Sequence, residues 1–217
     1  MLLTYYDALY ARYGNLNWWP ASTPYEVIVG AVLAQNTAWR NVEIALANFG
    51  GFLCPKKVLD MKIPELIDII RPAGFFNQKA VYLKEVTRWF AQYDFDAEAV
   101  RGEPLKKLRP ELLAVKGVGK ETADSILLYA FGFATFVVDA YTVRLCERLG
   151  LDVGKGYDAV KNYFEDNLPY DAELFNNYHA LIVINGKDHC RKSKPLCGTC
   201  PLEGYCQWAK QPPMTRS

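Results

Sequence analysis

The sequence carries almost no net charge: 25 Lys and Arg stand against 24 Asp and Glu in 217 residues. A strongly basic chain, the broad electrostatic footprint of many nucleic-acid binders, is therefore excluded. Any positive charge that meets a polyanion has to be local. Long apolar runs are also missing. None reaches the roughly 18 residues of a membrane span, although 51% of the chain is hydrophobic. That apolar content goes into a core, which argues against disorder and against a membrane partner. The opening stretch, Met1 to Gly14, has neither a basic patch nor a clean apolar block. It reads as a short amphipathic helix rather than a secretory leader, so the expected setting is intracellular, in the cytoplasm. Repeats and low-complexity tracts are absent. Strand patterning is nearly so: Thr135 to Val138 is the one strand-like run, too short to build a sheet.

What is present is helical periodicity, broken by short Gly/Pro punctuation. Thr23-Pro24-Tyr25-Glu26 reads as a helix start, with Thr23 as cap, Pro24 in the first turn and Glu26 as the return arm of a capping box. The apolar stripe behind it ends on a polar residue, Gln35. Further helices are expected over 41–49, 63–70, 78–93, 110–115, 120–131, 140–149, 157–165 and 172–185, and the tail 211–217 is expected to fray. The fold class is all-α.

Four of the six cysteines, Cys190, Cys197, Cys200 and Cys206, share one short segment with the spacing C-x6-C-x2-C-x5-C. Cys54 and Cys146 lie apart in apolar surroundings and read as plain core residues. In an intracellular protein such a cluster is better read as metal ligands than as disulfides. Four thiolates can surround a tetrahedral zinc or a cubane iron–sulfur cluster. Zinc sites usually come as two close pairs, whereas the intervals here are unequal. Arg191, Lys192 and Lys194 fall in the first interval, which makes them either a solvated loop or a phosphate-binding patch held rigid by the metal centre.

A second motif joins two helices through Gly117-Val118-Gly119. Glycines permit close backbone approach, and the helix beginning at Lys120 offers N–H groups and the positive end of its dipole. That combination suits a DNA phosphate, although an ordinary helix–helix turn has the same look. Asp139 follows an apolar stretch and begins the next helix. It fits a helix cap or a carboxylate held for catalysis.

Taken in order, L-x-x-x-K-G-V-G-K-E-T-A, V-V-D-A-Y-T-V-R, N-G-K-D-H-C and the four-cysteine spacing resemble the endonuclease III superfamily, the helix-hairpin-helix base-excision DNA glycosylases. The resemblance runs from about Trp18 to Trp208. It implies two helical domains with a DNA-binding cleft between them: a six-helix domain over 17–134 that ends in the hairpin, and a domain built from 1–16 and 135–217 that carries a [4Fe–4S] cluster on the four cysteines. The partner it implies is double-stranded DNA containing a damaged base, flipped out of the stack. Asp139 matches the catalytic aspartate, Gln35 the residue that fills the gap left by the flipped base, and Phe75 the wedge on the opposite strand. Gly117, Gly119 and Lys120 of the hairpin, with Lys187, Arg191 and Lys192, would hold DNA phosphates.

One departure bears on the reaction. Members with lyase activity have a lysine two residues after the second hairpin glycine, where this chain has Glu121. Lys120 is adjacent, but one helical step turns a side chain by about 100°. Without that amine there is no obvious Schiff-base nucleophile, so a monofunctional enzyme is expected. Asn17-Trp18-Trp19-Pro20 and Thr37-Ala38-Trp39 look like the 3-methyladenine glycosylase branch. In that branch aromatics matching Trp18 and Trp39 sandwich the alkylated base, Trp19 and Pro20 shape the pocket, and Glu121 belongs to the same site. An electron-rich indole also suits a cationic purine on chemical grounds. The alternatives are an endonuclease III-like enzyme for oxidised, deaminated or mismatched bases, and a non-catalytic DNA-binding module with a structural metal. Nothing marks a protein partner, so a monomer is expected.

Overall fold

A computed structural model describes residues 1–51 and 53–211; the tail expected to fray lies outside them from residue 212 on. The helices are α1 (Leu2–Tyr13), α2 (Pro24–Leu33), α3 (Trp39–Ala47), α4 (Pro55–Asp60), α5 (Ile63–Ile70), α6 (Phe76–Ala91), α7 (Ala97–Arg101), α8 (Leu105–Ala114), α9 (Lys120–Ser125), α10 (Ala140–Leu149), α11 (Tyr157–Asn167), α12 (Ala172–Asp188) and α13 (Gln207–Lys210). Short 3-10 turns occur at Arg71–Ala73, Cys197–Thr199 and Glu203–Tyr205, and a π-helical turn at Ile126–Ala130. No strand forms among the described residues, as an all-α fold requires. Nor is any described helix long and apolar enough to cross a membrane.

The chain divides into two compact units. The first, Trp19–Phe133, has α2 at its centre. Every residue from Val27 to Leu33 is buried, because α3, α6, α9 and the π-helical turn all pack against this helix. The entry to α2 follows the capping logic with one change. Thr23 Oγ1 accepts from Glu26 N at 3.2 Å, but the Glu26 carboxylate returns to Ser22 N at 2.8 Å rather than to the cap residue itself. α8 begins at Leu105, not at Pro110, which lies inside it; Pro104 supplies the extended residue before the first turn. The expected 120–131 helix opens into the π-helical turn after Ser125.

The second unit is Met1–Trp18 together with the described residues from Ala134 onward. α1 and α10 pack on α12. Leu2, Tyr5 and Leu9 form the buried stripe of α1. Tyr178 Oη donates to Leu2 O at 2.9 Å, and Asn177 bonds both Leu16 N and Tyr6 Oη, so α12 fixes both ends of the N-terminal segment. Phe136 and Phe164 stack with centroids 4.2 Å apart. The strand-like run at Thr135–Val138 is buried and pairs with no strand among the described residues. Two of its N–H groups go to side chains instead: Phe136 N to Glu165 Oε1 at 2.7 Å and Val138 N to Tyr157 Oη at 3.4 Å. Buried backbone donors need some acceptor, and side chains of α11 supply it.

Candidate functional site

In the second unit, Asp139 is the cap of α10. Its Oδ1 accepts from Thr142 N at 2.8 Å and from Thr142 Oγ1 at 3.0 Å. Its Oδ2 stands 3.6 Å from Nε2 of His179, a buried residue of α12. Burial pushes the carboxyl pKa up. The contact with His179 and the two Thr142 donors outweigh that and bring it below the ordinary value of 3.8. The result is a largely buried, ionised carboxylate with one oxygen committed to the helix cap. The cap reading and the catalytic reading of this residue are therefore compatible. Sequence reasoning missed His179, because a histidine in an apolar helical run reads as core.

The cysteine segment of the same unit is held by arginines of α10. Arg148 Nη1 donates to Cys190 Sγ at 3.2 Å and to Arg191 O at 2.8 Å, and Nη2 reaches Lys192 O at 3.2 Å. Arg144 Nε donates to Cys190 O at 2.8 Å. The Arg148 guanidinium lies over the Trp208 ring, 5.0 Å from its centroid, and the Arg148 carbonyl accepts from Cys206 Sγ at 3.2 Å. These bonds fix the loop backbone and leave Arg191 and Lys192 exposed. None of the four cysteines is in a disulfide. Burial is the main cause raising the thiols of Cys200 and Cys206, and neighbouring cysteines of the set add to it. Among the described residues no three His, Cys, Asp or Glu side chains stand close enough to hold a single metal ion. Two buried donors near the cysteines, Asn185 Nδ2 and Trp208 Nε1, have no hydrogen-bond partner among those residues. Asn185 Oδ1 meanwhile accepts from Cys200 Sγ at 3.5 Å.

The first unit carries the hairpin. Gly117 has φ +87°, and a Cβ there would lie 2.1 Å from the Tyr82 ring, so only glycine fits. Gly119 has an ordinary φ and open space around it. It caps α9, whose first turn has no side-chain cap, and Lys120 and Glu121 follow, both exposed. Gln35 is tied to this turn: its Nε2 donates to Gly117 O at 2.9 Å and to Thr122 Oγ1 at 3.0 Å. Phe75, 63% exposed, projects from the entry to α6 with φ 45°. A large apolar ring left in water on a left-handed backbone needs a reason outside folding.

An aromatic group lies in the same unit. Trp19, at φ 68°, stacks on Tyr129 of the π-helical turn (centroids 5.0 Å, 27°) and meets Trp39 edge-on (5.2 Å, 77°). The Trp19 indole packs against α2 at Gly30, where a Cβ would come within 3.3 Å of it. Pro20 is exposed beside it. Trp18, the adjacent residue, belongs to the other unit. There Lys187 Nζ lies 5.6 Å from its ring centroid.

Residues 29–170 match the HhH-GPD superfamily of base excision DNA repair proteins. The chain belongs to this superfamily. An HhH-GPD relative from Methanocaldococcus jannaschii, provisionally named a DNA repair glycosylase, is 49% identical over 211 residues, covering 95% of this chain and 96% of its own. Among solved structures, an H. pylori 3-methyladenine DNA glycosylase bound to 1,N6-ethenoadenine superposes with a TM-score of 0.70 at 29% identity, covering 85% of this chain and 94% of that one. A trapped endonuclease III–DNA covalent intermediate superposes with a TM-score of 0.81 at 22% identity, covering 97% of each chain. The HhH-GPD chain is thus a DNA glycosylase of the endonuclease III superfamily, with the endonuclease III fold.

For this HhH-GPD glycosylase, sequence reasoning missed Tyr129, which stacks on the Trp19 ring. It also missed Arg148, which braces the cysteine segment. Tyr129 hid in an apolar helical run, and Arg148 had the look of a polar position on an amphipathic helix.

Proposed function

We propose that this glycosylase removes alkylated purines by hydrolysis and has no lyase activity. The observation that carries the reading is the Trp19–Trp39–Tyr129 aromatic group. Stacked indole and phenol rings form an electron-rich surface that attracts a cationic ring more than a neutral one. A base alkylated at N3 or N7 is such a cation, and the alkylation also weakens the bond from its ring nitrogen to C1′ of the sugar. The likeness to a 3-methyladenine glycosylase at 29% identity supports the same substrate class. Trp18 offers a second indole and Pro20 an apolar edge, while Glu121 offers a carboxylate at the start of α9.

In this reading Asp139 carries the chemistry. As the bond to C1′ breaks, its electron pair leaves with the base and the sugar acquires oxocarbenium character. An ionised Asp139 stabilises that charge and orients a water, whose oxygen adds to C1′ while its proton passes to the Asp139 carboxylate; the alkylated base, cationic before cleavage, leaves neutral. No amine is required. Glu121 in place of lysine, with Lys120 one helical step (about 100°) from that position, supports a monofunctional enzyme. Gln35 and Phe75 enter the duplex. Gly117, Gly119, Lys120, Lys187, Arg191 and Lys192 meet phosphates, which supplies local positive charge to a chain with a net charge of +1.

Cys190, Cys197, Cys200 and Cys206 would hold a [4Fe–4S] cluster. The donor set is all sulfur at unequal intervals, and two buried N–H donors beside it, Asn185 Nδ2 and Trp208 Nε1, suit an acceptor-rich inorganic group. The cluster's chemistry, when bound, is that of an iron–sulfur centre. This chain's own residues use the segment to present Arg191 and Lys192. The test is a panel of duplexes carrying alkylated, oxidised, deaminated or mismatched bases, with borohydride present in a parallel set. Release of alkylpurines without a trapped covalent adduct is expected. Release confined to the other lesions would replace the substrate reading, and a robust adduct would overturn the monofunctional one.

A further inference from the structure

Lys79 is only 2% exposed, on the first turns of α6, and neither the fold's apolar packing nor the proposed chemistry uses its charge. Its Nζ donates to Leu33 O and to Ala73 O, both at 2.8 Å. The two acceptors end separate elements. Leu33 is the last residue of α2, and Ala73 closes the 3-10 turn. Each stands two residues before one of the side chains assigned to the duplex: Gln35 in one case, Phe75 in the other. Beyond each acceptor the chain passes through a left-handed residue that is not glycine, Asn36 at φ 51° and Phe75 at φ 45°. Such backbone persists only where the surroundings over-determine it. A buried ammonium is costly unless it is satisfied, and its several donors radiate from one atom. It can therefore join two carbonyls of different segments in a way a hydroxyl or an apolar chain cannot. Burial lowers Lys79 to about 8, which leaves it mainly protonated at neutral pH.

We infer that Lys79 is a positioning residue that fixes the Gln35 loop and the Phe75 loop to each other, so that the two probes enter the duplex as one unit. The inference rests on the reading that Gln35 and Phe75 probe DNA.

The experiment measures affinity for a duplex bearing a tetrahydrofuran abasic analogue and for the same duplex undamaged. It compares wild type with Lys79→Met, Lys79→Arg, Gln35→Ala, Phe75→Ala and the Gln35→Ala/Phe75→Ala pair. Lys79→Met should weaken binding to the abasic analogue by about tenfold with little change on undamaged DNA, and Lys79→Arg should restore part of the difference. Loss of folded protein alone would lower both affinities together and leave their ratio unchanged. In the wild-type background the paired alanine variant should lose less than the product of the single losses, because the probes act together. Wild-type discrimination by a folded Lys79→Met protein would overturn the inference. If that variant does not fold, strictly multiplicative losses from the two alanine changes would do so. Single alanine variants that bind the abasic analogue like wild type would remove the probes themselves, and the inference with them.

Discussion

Replacing Gly117 with alanine should damage the fold, whereas the same change at Gly119 should damage mainly DNA binding. The two glycines flank one valine in the hairpin, so composition alone would predict similar effects. At Gly117 the backbone sits at φ +87°, and an added Cβ falls 2.1–2.4 Å from three atoms of the Tyr82 ring. The left-handed conformation costs an L-residue about 1–2 kcal/mol. Forcing the ring aside adds about 1–3 kcal/mol of overpacking. The expected loss is therefore about 2–5 kcal/mol, or roughly 4–20 °C in melting temperature for a chain of this size. At Gly119 the φ is −89° and nothing lies within 4 Å. Gly119 is the cap of α9 and alanine caps less well, so a methyl there should cost no more than about 1 kcal/mol. It would still stand on the exposed turn assigned to a phosphate, so affinity for duplex DNA should fall. Thermal unfolding and DNA titration on both variants check this. A Gly117→Ala protein that melts with wild type, or a Gly119→Ala protein that melts lower than Gly117→Ala, would refute the steric reasoning.

Other outcomes follow from the same geometry. Arg148→Ala removes the donors to Cys190 Sγ, Arg191 O and Lys192 O. Loss of such supporting contacts typically costs about 10–100-fold in metal affinity, so iron and sulfide per chain should fall; full occupancy would contradict the brace. Asp139 titrates below 3.8 in the fold. Its ionised form therefore adds stability above that value, which is lost as pH falls through the lower folded pKa. Removing the imidazole in His179→Ala leaves burial less opposed, so the acid limb of the single-turnover rate should move to higher pH. An unmoved limb would show that His179 does not hold the carboxylate. Arg191→Ala and Lys192→Ala should each flatten the salt dependence of DNA binding by about 0.9 in log–log slope. Melting should be unchanged, because both side chains are exposed, and a steep slope retained in both would take the loop off the phosphates.

The sequence disclosed what depends on local pattern. Ile63–Ile70 and Ala140–Leu149 have the bounds that periodicity predicts, and Thr23-Pro24 starts α2 as its residue types require. The all-helical class and the superfamily were legible for the same reason: spaced glycines, an acid and four cysteines survive as linear motifs. The rest depends on partners distant in the chain. α4 and α7, of six and five residues, are too short to show a period. The π-helical turn that carries Tyr129 looks like ordinary helix. Nothing local says that Trp18 and Trp19 fall into different units, since the division comes at a residue with φ 68° that sequence patterns do not mark as special. Lys79, Arg148 and His179 stayed hidden because a buried polar side chain is recognised by what it meets, and their partners lie 42–46 residues away in the cases of Leu33, Cys190 and the carbonyls after it, and 40 in the case of Asp139.

The central claim is tested most directly by measuring free base released from duplex DNA treated with a methylating agent, using wild type and Asp139→Asn. Release of 3-methyladenine or 7-methylguanine by wild type, and none by a folded Asp139→Asn protein that still binds DNA, is the predicted result. Equal release by both proteins would remove Asp139 from the chemistry, and no release by either would contradict the assignment of alkylated purines as substrate.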